Sequence, residues 1–147
     1  MKVQTPPAFR THATVLIADD EPSMRLLVRA TIESDQYDVL EAADGDEAWA
    51  LITKHRPSVV LLDVQMPGRT GLEVLAMIRR DASLVATRVI MLTARALKSD
   101  VEVGLAAGAD LYLTKPFSPL DLLTRVDEAL VQWRSAQPAG TPYKPAA

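Results

Sequence analysis

Acidic, hydroxyl and amine side chains follow short apolar runs at several places in this chain. Asp19 and Asp20 come directly after one run, Asp63 after a second and Thr93 after a third, while Lys115 follows a weaker one. In an open sheet of parallel strands, the ligand site lies beyond the carboxyl ends of the strands. We therefore expect three carboxylates, one hydroxyl and one amine to meet in one small area.

This set of groups is suited to phosphoryl transfer. Crowded carboxylates raise each other's pKa unless a cation lies among them, and hard oxygen ligands suit Mg²⁺. A metal ion and an amine can neutralise phosphoryl oxygens while a carboxylate oxygen acts as the nucleophile. Asp63 is the natural nucleophile because it stands alone after its apolar run. Asp19 and Asp20 are the natural metal ligands because they come as a pair.

The apolar runs predict the strands that would position these groups. Residues 15–18, 59–62 and 89–92 are continuously apolar, which is typical of strands buried on both faces of a parallel sheet. Residues 37–40 and 110–113 contain polar members and predict more exposed strands.

Helical patterns lie between the predicted strands. Apolar residues recur at three- and four-residue spacing in each, and they include Leu27 in the first helix, Val101 and Leu105 in the fourth, and Leu120, Leu123, Val126 and Leu130 in the last. Ser118 is a plausible N-cap with Pro119 in the first turn, and Gly108 is a plausible C-cap. Strict alternation of five strands and five helices predicts a doubly wound α/β fold with helices on both faces of a parallel sheet.

Composition excludes several other classes of protein. The 147 residues carry a net charge of −3, which argues against a surface that binds nucleic acid. The absence of cysteine excludes disulfides, zinc thiolate sites and thiol catalysis, and two histidines are too few for a histidine metal centre. No apolar run reaches the ~18 residues that a membrane span needs. We expect a cytoplasmic domain over residues 14–134, with a flexible arm at 1–13 and a flexible tail or linker at 135–147.

Each of these polar residues also has an ordinary structural interpretation. An aspartate after a strand often caps the next helix, and Asp20 could do so with Pro22 in the first turn. Thr93 could cap a helix in the same way, and Lys115 could be a solvated surface lysine. The joint pattern at four strand ends, rather than any single residue, favours a functional site.

Four segments together resemble the receiver domain of bacterial two-component response regulators. They are the runs VLIADDE at 15–21, LLDVQMPG at 61–68, MLTA at 91–94 and GADLYLTKPF at 108–117. The intervals are 43 residues from Asp20 to Asp63, 30 from Asp63 to Thr93 and 22 from Thr93 to Lys115, as is usual in the family. The resemblance covers roughly residues 14–133. It implies a flavodoxin-like three-layer (βα)₅ sandwich with strand order 2-1-3-4-5.

The resemblance implies that Asp63 accepts a phosphoryl group from a histidine kinase or a phosphotransfer protein. It further implies that Asp19, Asp20, Asp63 and the backbone carbonyl of Gln65 hold Mg²⁺. The domain would act as a signalling switch rather than as an enzyme, although it would assist its own phosphorylation and dephosphorylation.

The resemblance also assigns roles around the phosphoryl group. Thr93 and Lys115 would contact its oxygens, and Tyr112 would be the switch aromatic that moves inward with Thr93. Gln65 and Arg95 would tune the lifetime of the phosphoryl group. The peptide bond after Lys115 is similar to one that is usually cis in the family, as an X-Pro bond permits.

Other interpretations stay open from the sequence alone. Some Mg²⁺-dependent phosphatases use an Asp nucleophile on a doubly wound sheet, but they place it in an Asp-x-Asp turn after their first strand. An interaction module that no longer uses its phosphorylation site is a second alternative, and a receiver fragment of a longer regulator with an effector domain is a third. The partner would be a downstream protein or an effector domain, and not nucleic acid or a membrane. A homodimer could form through the last helix-strand-helix face, with Asp110 of one copy facing Arg125 of the other.

Overall fold

The computed structural model describes residues 13–94 and 98–137, with the backbone but not the side chains at 98–100. Along these residues five strands alternate with five helices. The elements are β1 (Ala13–Ala18), α1 (Pro22–Ile32), β2 (Tyr37–Ala42), α2 (Gly45–His55), β3 (Val59–Asp63), α3 (Gly71–Arg80), β4 (Arg88–Thr93), α4 (Lys98–Ala106), β5 (Leu111–Thr114) and α5 (Pro119–Ser135). A short 3₁₀ turn, Ala82–Leu84, lies between α3 and β4.

The strands form one parallel sheet in the order β2-β1-β3-β4-β5. The predicted fold class and strand order are confirmed. In the register of the sheet Asp63 is paired with Leu92, and Thr93 is paired with Thr114. The carboxyl ends of β3, β4 and β5 therefore lie side by side, with β1 on the other side of β3.

Two apolar layers cover the sheet, one on each face. In β1, Val15 and Ile17 join the cluster that contains the buried side chains of α1 and α5. The alternate residues Leu16 and Ala18 join the cluster that contains those of α2 and α3. Because successive side chains of a strand point to opposite faces, a strand covered on both faces needs apolar residues at every position. This is why β1, β3 and β4 read as continuous apolar runs.

The predicted helix signals at α5 and α4 have the expected geometry. The Ser118 hydroxyl accepts a hydrogen bond from the Asp121 backbone N–H, and Pro119 is the first residue of α5. Gly108 follows α4 with φ of 109°, a conformation that glycine adopts without strain.

The cap of α1 differs from the structural alternative considered for Asp20. Glu21 is the N-cap residue, its side chain makes no cap hydrogen bond, and Pro22 begins the helix. Asp20 therefore does not serve as the cap of α1, and its exposed side chain stands at the end of β1.

Three apolar residues predicted to face the core are exposed. Leu27 is 49% exposed, Leu105 is 45% exposed and Leu120 is 72% exposed. In α5 the buried stripe starts at Leu122, because Leu120 lies in the first turn, before the helix packs on the sheet. Within 101–106, the part of α4 whose burial is described, the buried position is Gly104, one residue before Leu105. The three-to-four-residue spacing identified these helices but misplaced their faces at these positions.

The first and last elements of the described chain lie close to the expected limits of 14 and 134, which stay a prediction. Strand β1 already begins at Ala13, and α5 runs to Ser135. Residues 1–12 and 138–147, which make up most of the expected arm and tail, lie outside the described residues. Among the helices of the described part, none is long and apolar enough to cross a membrane.

Candidate functional site

Three aspartates meet at the carboxyl edge of the sheet. Asp19 follows β1 and Asp63 ends β3, and these two strands are neighbours, which brings the two side chains together. One carboxylate oxygen of each of Asp19, Asp20 and Asp63 lies within 4.8 Å of the others. Asp19 is 0% exposed and Asp63 is 5% exposed, whereas Asp20 faces solvent. The arrangement is an acidic pocket with a buried floor and one exposed wall.

Lys115 supplies a positive charge to this pocket. Its Nζ donates to Asp19 Oδ2 at 2.9 Å and lies 3.6 Å from Asp63 Oδ2. The residue follows β5, its backbone N–H donates to the Thr93 carbonyl at 2.7 Å, and its peptide bond to Pro116 is cis. Lys115 is therefore a member of the cluster rather than a solvated surface lysine.

The electrostatics of the pocket raise the pKa of Asp63. Burial raises the pKa of this carboxyl from 3.8 to about 6, and the charge of Asp19 adds to the rise. The ammonium of Lys115 and the Gln65 backbone N–H, which donates to Asp63 Oδ1 at 3.3 Å, act in the opposite direction. One amine thus does not compensate the burial and crowding of three carboxylates.

The pKa of Lys115 is raised in turn. Burial acts to lower it, but the hydrogen bond to Asp19 and the charges of Asp63 and Asp19 outweigh that effect. Lys115 therefore remains a cation at neutral pH and in contact with both buried carboxylates.

An open cleft of about 400 Å³ gives access to these groups. Asp20, Asp63, Gln65 and Lys115 line it, together with Glu21 and Ala94. The cleft leaves room beside the Asp63 carboxylate for an ion and an incoming anion. A donor set of carboxylate and carbonyl oxygens fits a hard divalent cation such as Mg²⁺, without histidine or cysteine ligands.

Thr93 and Tyr112 lie on the neighbouring strands β4 and β5. Thr93 ends β4 and is 3% exposed, and Tyr112 is paired with Met91 in the sheet. The Tyr112 ring packs directly against Gly104 of α4, where a Cβ atom would overlap it. The ring is thus in contact with α4 at a position that only glycine leaves open.

Two other predicted positions have different outcomes. Gln65 is exposed and lines the cleft, and its predicted role stays a prediction. Arg95 lies outside the described residues.

The two residues proposed to pair across a dimer have partners within the chain. Asp110 accepts from Arg79 at 3.0 Å and from Arg88 at 3.2 Å. Arg125 lies 3.3 Å from Asp121 and 3.0 Å from Glu128 on α5. A pair between Asp110 and Arg125 of two copies would have to replace these contacts.

One contact to the acidic pocket was not predicted from the sequence. Arg25 of α1 donates from Nη1 to the backbone carbonyl of Asp19 at 2.6 Å. An arginine one helical turn into a helix is usually an exposed residue, and no local pattern distinguishes one that turns back towards the preceding strand.

Comparisons with known proteins agree with this geometry. The family model of the response regulator receiver domain matches residues 15–127. The chain is 39% identical over 117 residues to the phosphate regulon transcriptional regulatory protein PhoB of Pseudomonas aeruginosa, covering 80% of this chain and 51% of that protein. It is 36% identical to the response regulator GtcR of Aneurinibacillus migulanus, covering 80% of this chain and 47% of that protein.

A solved structure gives the same result at the level of the fold. The chemotaxis response regulator CheY4 of Vibrio cholerae matches with a TM-score of 0.75 and 38% identity, covering 82% of this chain and 100% of that one. The chain spans about half the length of the curated relatives that it matches. The family match favours a receiver over the phosphatase alternative, and the chain belongs to the response regulator receiver family of two-component systems.

Proposed function

We propose that Asp63 accepts a phosphoryl group from a phosphohistidine of a kinase or phosphotransfer protein, in a reaction that requires Mg²⁺. One observation carries the proposal: the Asp63 carboxylate lies beside two further aspartates and 3.6 Å from the Lys115 ammonium, in an open cleft. In the transfer, an Asp63 oxygen bonds to phosphorus while the P–N bond of the donor breaks. The electron pair of that bond stays on the ring nitrogen, and the donor leaves as neutral imidazole because its other ring nitrogen carries a proton.

The donor set of the pocket supports Mg²⁺ as the cofactor. Asp19, Asp20, Asp63 and the backbone carbonyl of Gln65 would hold the ion. When bound, Mg²⁺ supplies positive charge for the carboxylates and the phosphoryl oxygens. The raised pKa of Asp63 supports this choice, because a cation in the pocket would offset the crowding of negative charge.

Lys115 and Thr93 have complementary parts in the proposal. The Lys115 ammonium is in place to contact one phosphoryl oxygen once its contact with Asp63 is exchanged. Thr93 ends the neighbouring strand β4, from which its hydroxyl can donate to a second oxygen. Gln65 at the cleft, together with Arg95, would influence how fast water reaches the phosphoryl group.

The experiment that tests the function is incubation of the chain with acetyl phosphate, followed by intact mass spectrometry with and without Mg²⁺. A receiver gains one labile phosphoryl group per chain, and only with Mg²⁺. Continuous turnover of a phosphate ester such as p-nitrophenyl phosphate, without a phosphorylated protein, would instead indicate a phosphatase.

We further propose that the output surface is formed by α4, β5 and α5. Val103 and Leu105 are 57% and 45% exposed on α4, on either side of Gly104, against which the Tyr112 ring packs. A movement of Thr93 towards a phosphoryl group would draw the ring away from Gly104 and change the surface that these apolar residues present. The partner would be a downstream protein or an effector domain. It would lie in the cytoplasm, where histidine kinases transfer their phosphoryl groups.

Hydrogen exchange should detect this switch. We expect beryllofluoride with Mg²⁺ to change exchange rates in residues 101–125, because the phosphate mimic would bias the positions of Thr93 and Tyr112. Exchange measured by mass spectrometry with and without beryllofluoride is the test, and α2 serves as the internal reference. Protection that is identical across 101–125 in both states would contradict the proposed output surface.

The same face is our candidate for self-association. Because Asp110 and Arg125 already have partners within the chain, the apolar residues of α4 are better suited to hold two copies together. We expect beryllofluoride to shift the chain from monomer towards dimer in light scattering. A molar mass that stays monomeric at high protein concentration would contradict this part of the proposal.

A further inference from the structure

Asp19, the fully buried aspartate of the pocket, has a hydrogen-bond partner at each of its four polar atoms. Its backbone N–H donates to the Ala42 carbonyl at 3.1 Å, and its Oδ1 accepts from the Glu21 backbone N–H at 2.9 Å. Its Oδ2 accepts from Lys115 Nζ at 2.9 Å. The remaining atom, the carbonyl oxygen of Asp19, accepts from Arg25 Nη1 at 2.6 Å.

Arg25 reaches this carbonyl from a fixed position. Its side chain is only 18% exposed, and its Nε lies 3.3 Å from Oε1 of Glu41 on β2. The second oxygen of Glu41 accepts from Arg29 Nη1 at 2.6 Å. The planar guanidinium of Arg25 can therefore hold the Glu41 carboxylate on β2 and the Asp19 carbonyl at the end of β1 at the same time.

The hydrogen bond to the Asp19 carbonyl restricts the orientation of Asp20, the neighbouring candidate metal ligand. The carbonyl of Asp19 and the backbone N–H of Asp20 belong to the same rigid peptide plane. Holding that carbonyl restricts the rotation of the plane, and it thereby restricts the directions in which the exposed Asp20 side chain can leave the backbone. Asp20 has little burial of its own to hold it in place.

We propose that Arg25 is a positioning residue of the metal site, which aims the Asp20 carboxylate by holding the carbonyl of Asp19. This inference rests on the proposed function. Outer residues that orient metal ligands typically change metal affinity by about 10–100-fold when they are removed. Because Arg25 contacts the backbone next to Asp20 rather than the Asp20 carboxylate itself, we expect the lower end of that range, roughly 10-fold.

Arg29 provides a matched control. It lies one helical turn further along α1, and its Nη1 donates to the same Glu41 carboxylate, whereas the Asp19 carbonyl accepts from Arg25. If Arg25 acted only by joining α1 to β2, removal of either arginine would have a similar effect.

The test is calorimetric titration of Mg²⁺ into the full chain and its Arg25→Ala, Arg25→Lys and Arg29→Ala variants. We expect a Kd for Mg²⁺ that rises roughly 10-fold in Arg25→Ala, is partly restored in Arg25→Lys and is unchanged in Arg29→Ala. The lysine keeps the charge and can donate hydrogen bonds, but its donors lie on a single nitrogen and cannot hold both oxygens with a planar fork. If the alanine variant does not fold, the comparison of Arg25→Lys with Arg29→Ala decides the same question.

A second readout does not depend on metal. In ¹H–¹⁵N spectra of the metal-free proteins, we expect the Asp20 and Glu21 amide signals to shift in Arg25→Ala and to stay in place in Arg29→Ala. A wild-type Kd and unshifted amides in Arg25→Ala would overturn this inference and leave the proposed function standing. An equal loss of affinity in Arg29→Ala would do the same. A wild-type chain that does not bind Mg²⁺ would overturn the proposed function as well.

Discussion

Replacement of Asp63 with asparagine should abolish Mg²⁺-dependent phosphorylation by acetyl phosphate. The amide keeps the shape of the side chain, but it lacks the anionic oxygen that must attack phosphorus. The other two aspartates do not replace it, because Asp19 is fully buried and bound to Lys115, and Asp20 lies on the exposed wall of the pocket. Intact mass spectrometry of the wild-type and variant chains measures the result.

Asp35→Asn is the control for this experiment. Asp35 is exposed in the turn between α1 and β2, outside the cleft, so its variant should be labelled like the wild type. An Asp63→Asn chain that gained the same labile group at the wild-type rate would show that another residue is the acceptor.

The Asp63→Asn substitution should also stabilise the metal-free protein at neutral pH. The pKa of Asp63 rises from 3.8 to about 6 in the folded chain, chiefly because of burial, so the ionised carboxylate costs free energy in the fold. At about 1.4 kcal/mol per pKa unit, the full shift corresponds to about 3 kcal/mol. That shift already includes the attraction of Lys115. We therefore expect the free energy of unfolding at pH 7 to increase by about 1–3 kcal/mol when asparagine replaces the ionised carboxylate.

The sign of the pH dependence follows from the raised pKa. Below about pH 4 Asp63 is protonated in both the folded and the unfolded chain, so its burial does not lower the free energy of unfolding through charge. Between about pH 4 and 6 the folded chain binds the proton more tightly, so wild-type stability falls as the pH rises. The advantage of Asp63→Asn should therefore be small at pH 4 and complete above pH 6.

Chemical denaturation in chelator at both pH values checks this prediction. Asp35→Asn again serves as the control, and its free energy of unfolding should match the wild type. Addition of Mg²⁺ should stabilise the wild type and reduce the difference from Asp63→Asn. A metal-free Asp63→Asn chain that is less stable than the wild type at pH 7 would mean that Lys115 already compensates the buried charge.

The sheet and its functional edge were predictable because strong, local signals specify them. Short continuous apolar runs are typical of strands covered on both faces, and such strands in alternation with helices leave few topologies. Once the strands are parallel, the residues after β1, β3, β4 and β5 must share one edge of the sheet. This is why Asp19, Asp63 and Lys115 could be brought together from the sequence.

The packing of α4 and the contact of Arg25 could not be predicted in the same way. Leu105 has the right hydrophobicity for a core position, but the Tyr112 ring lies against Gly104 and fixes the inward face of α4 there. Arg25 reaches the Asp19 carbonyl because Glu41 on β2 holds its guanidinium, and no sequence pattern links these two residues, which lie 16 positions apart. Both depend on neighbours that only the folded chain brings into contact.

The most direct test of the central claim is a crystal structure of the chain with Mg²⁺ and beryllofluoride. We predict beryllofluoride on an Asp63 carboxylate oxygen, with Lys115 Nζ and the Thr93 hydroxyl in contact with its fluorines. The metal should be bound by the carboxylates of Asp19, Asp20 and Asp63 and by the Gln65 carbonyl. Beryllofluoride bound at another residue, or a metal ion that does not contact these aspartates, would contradict the account.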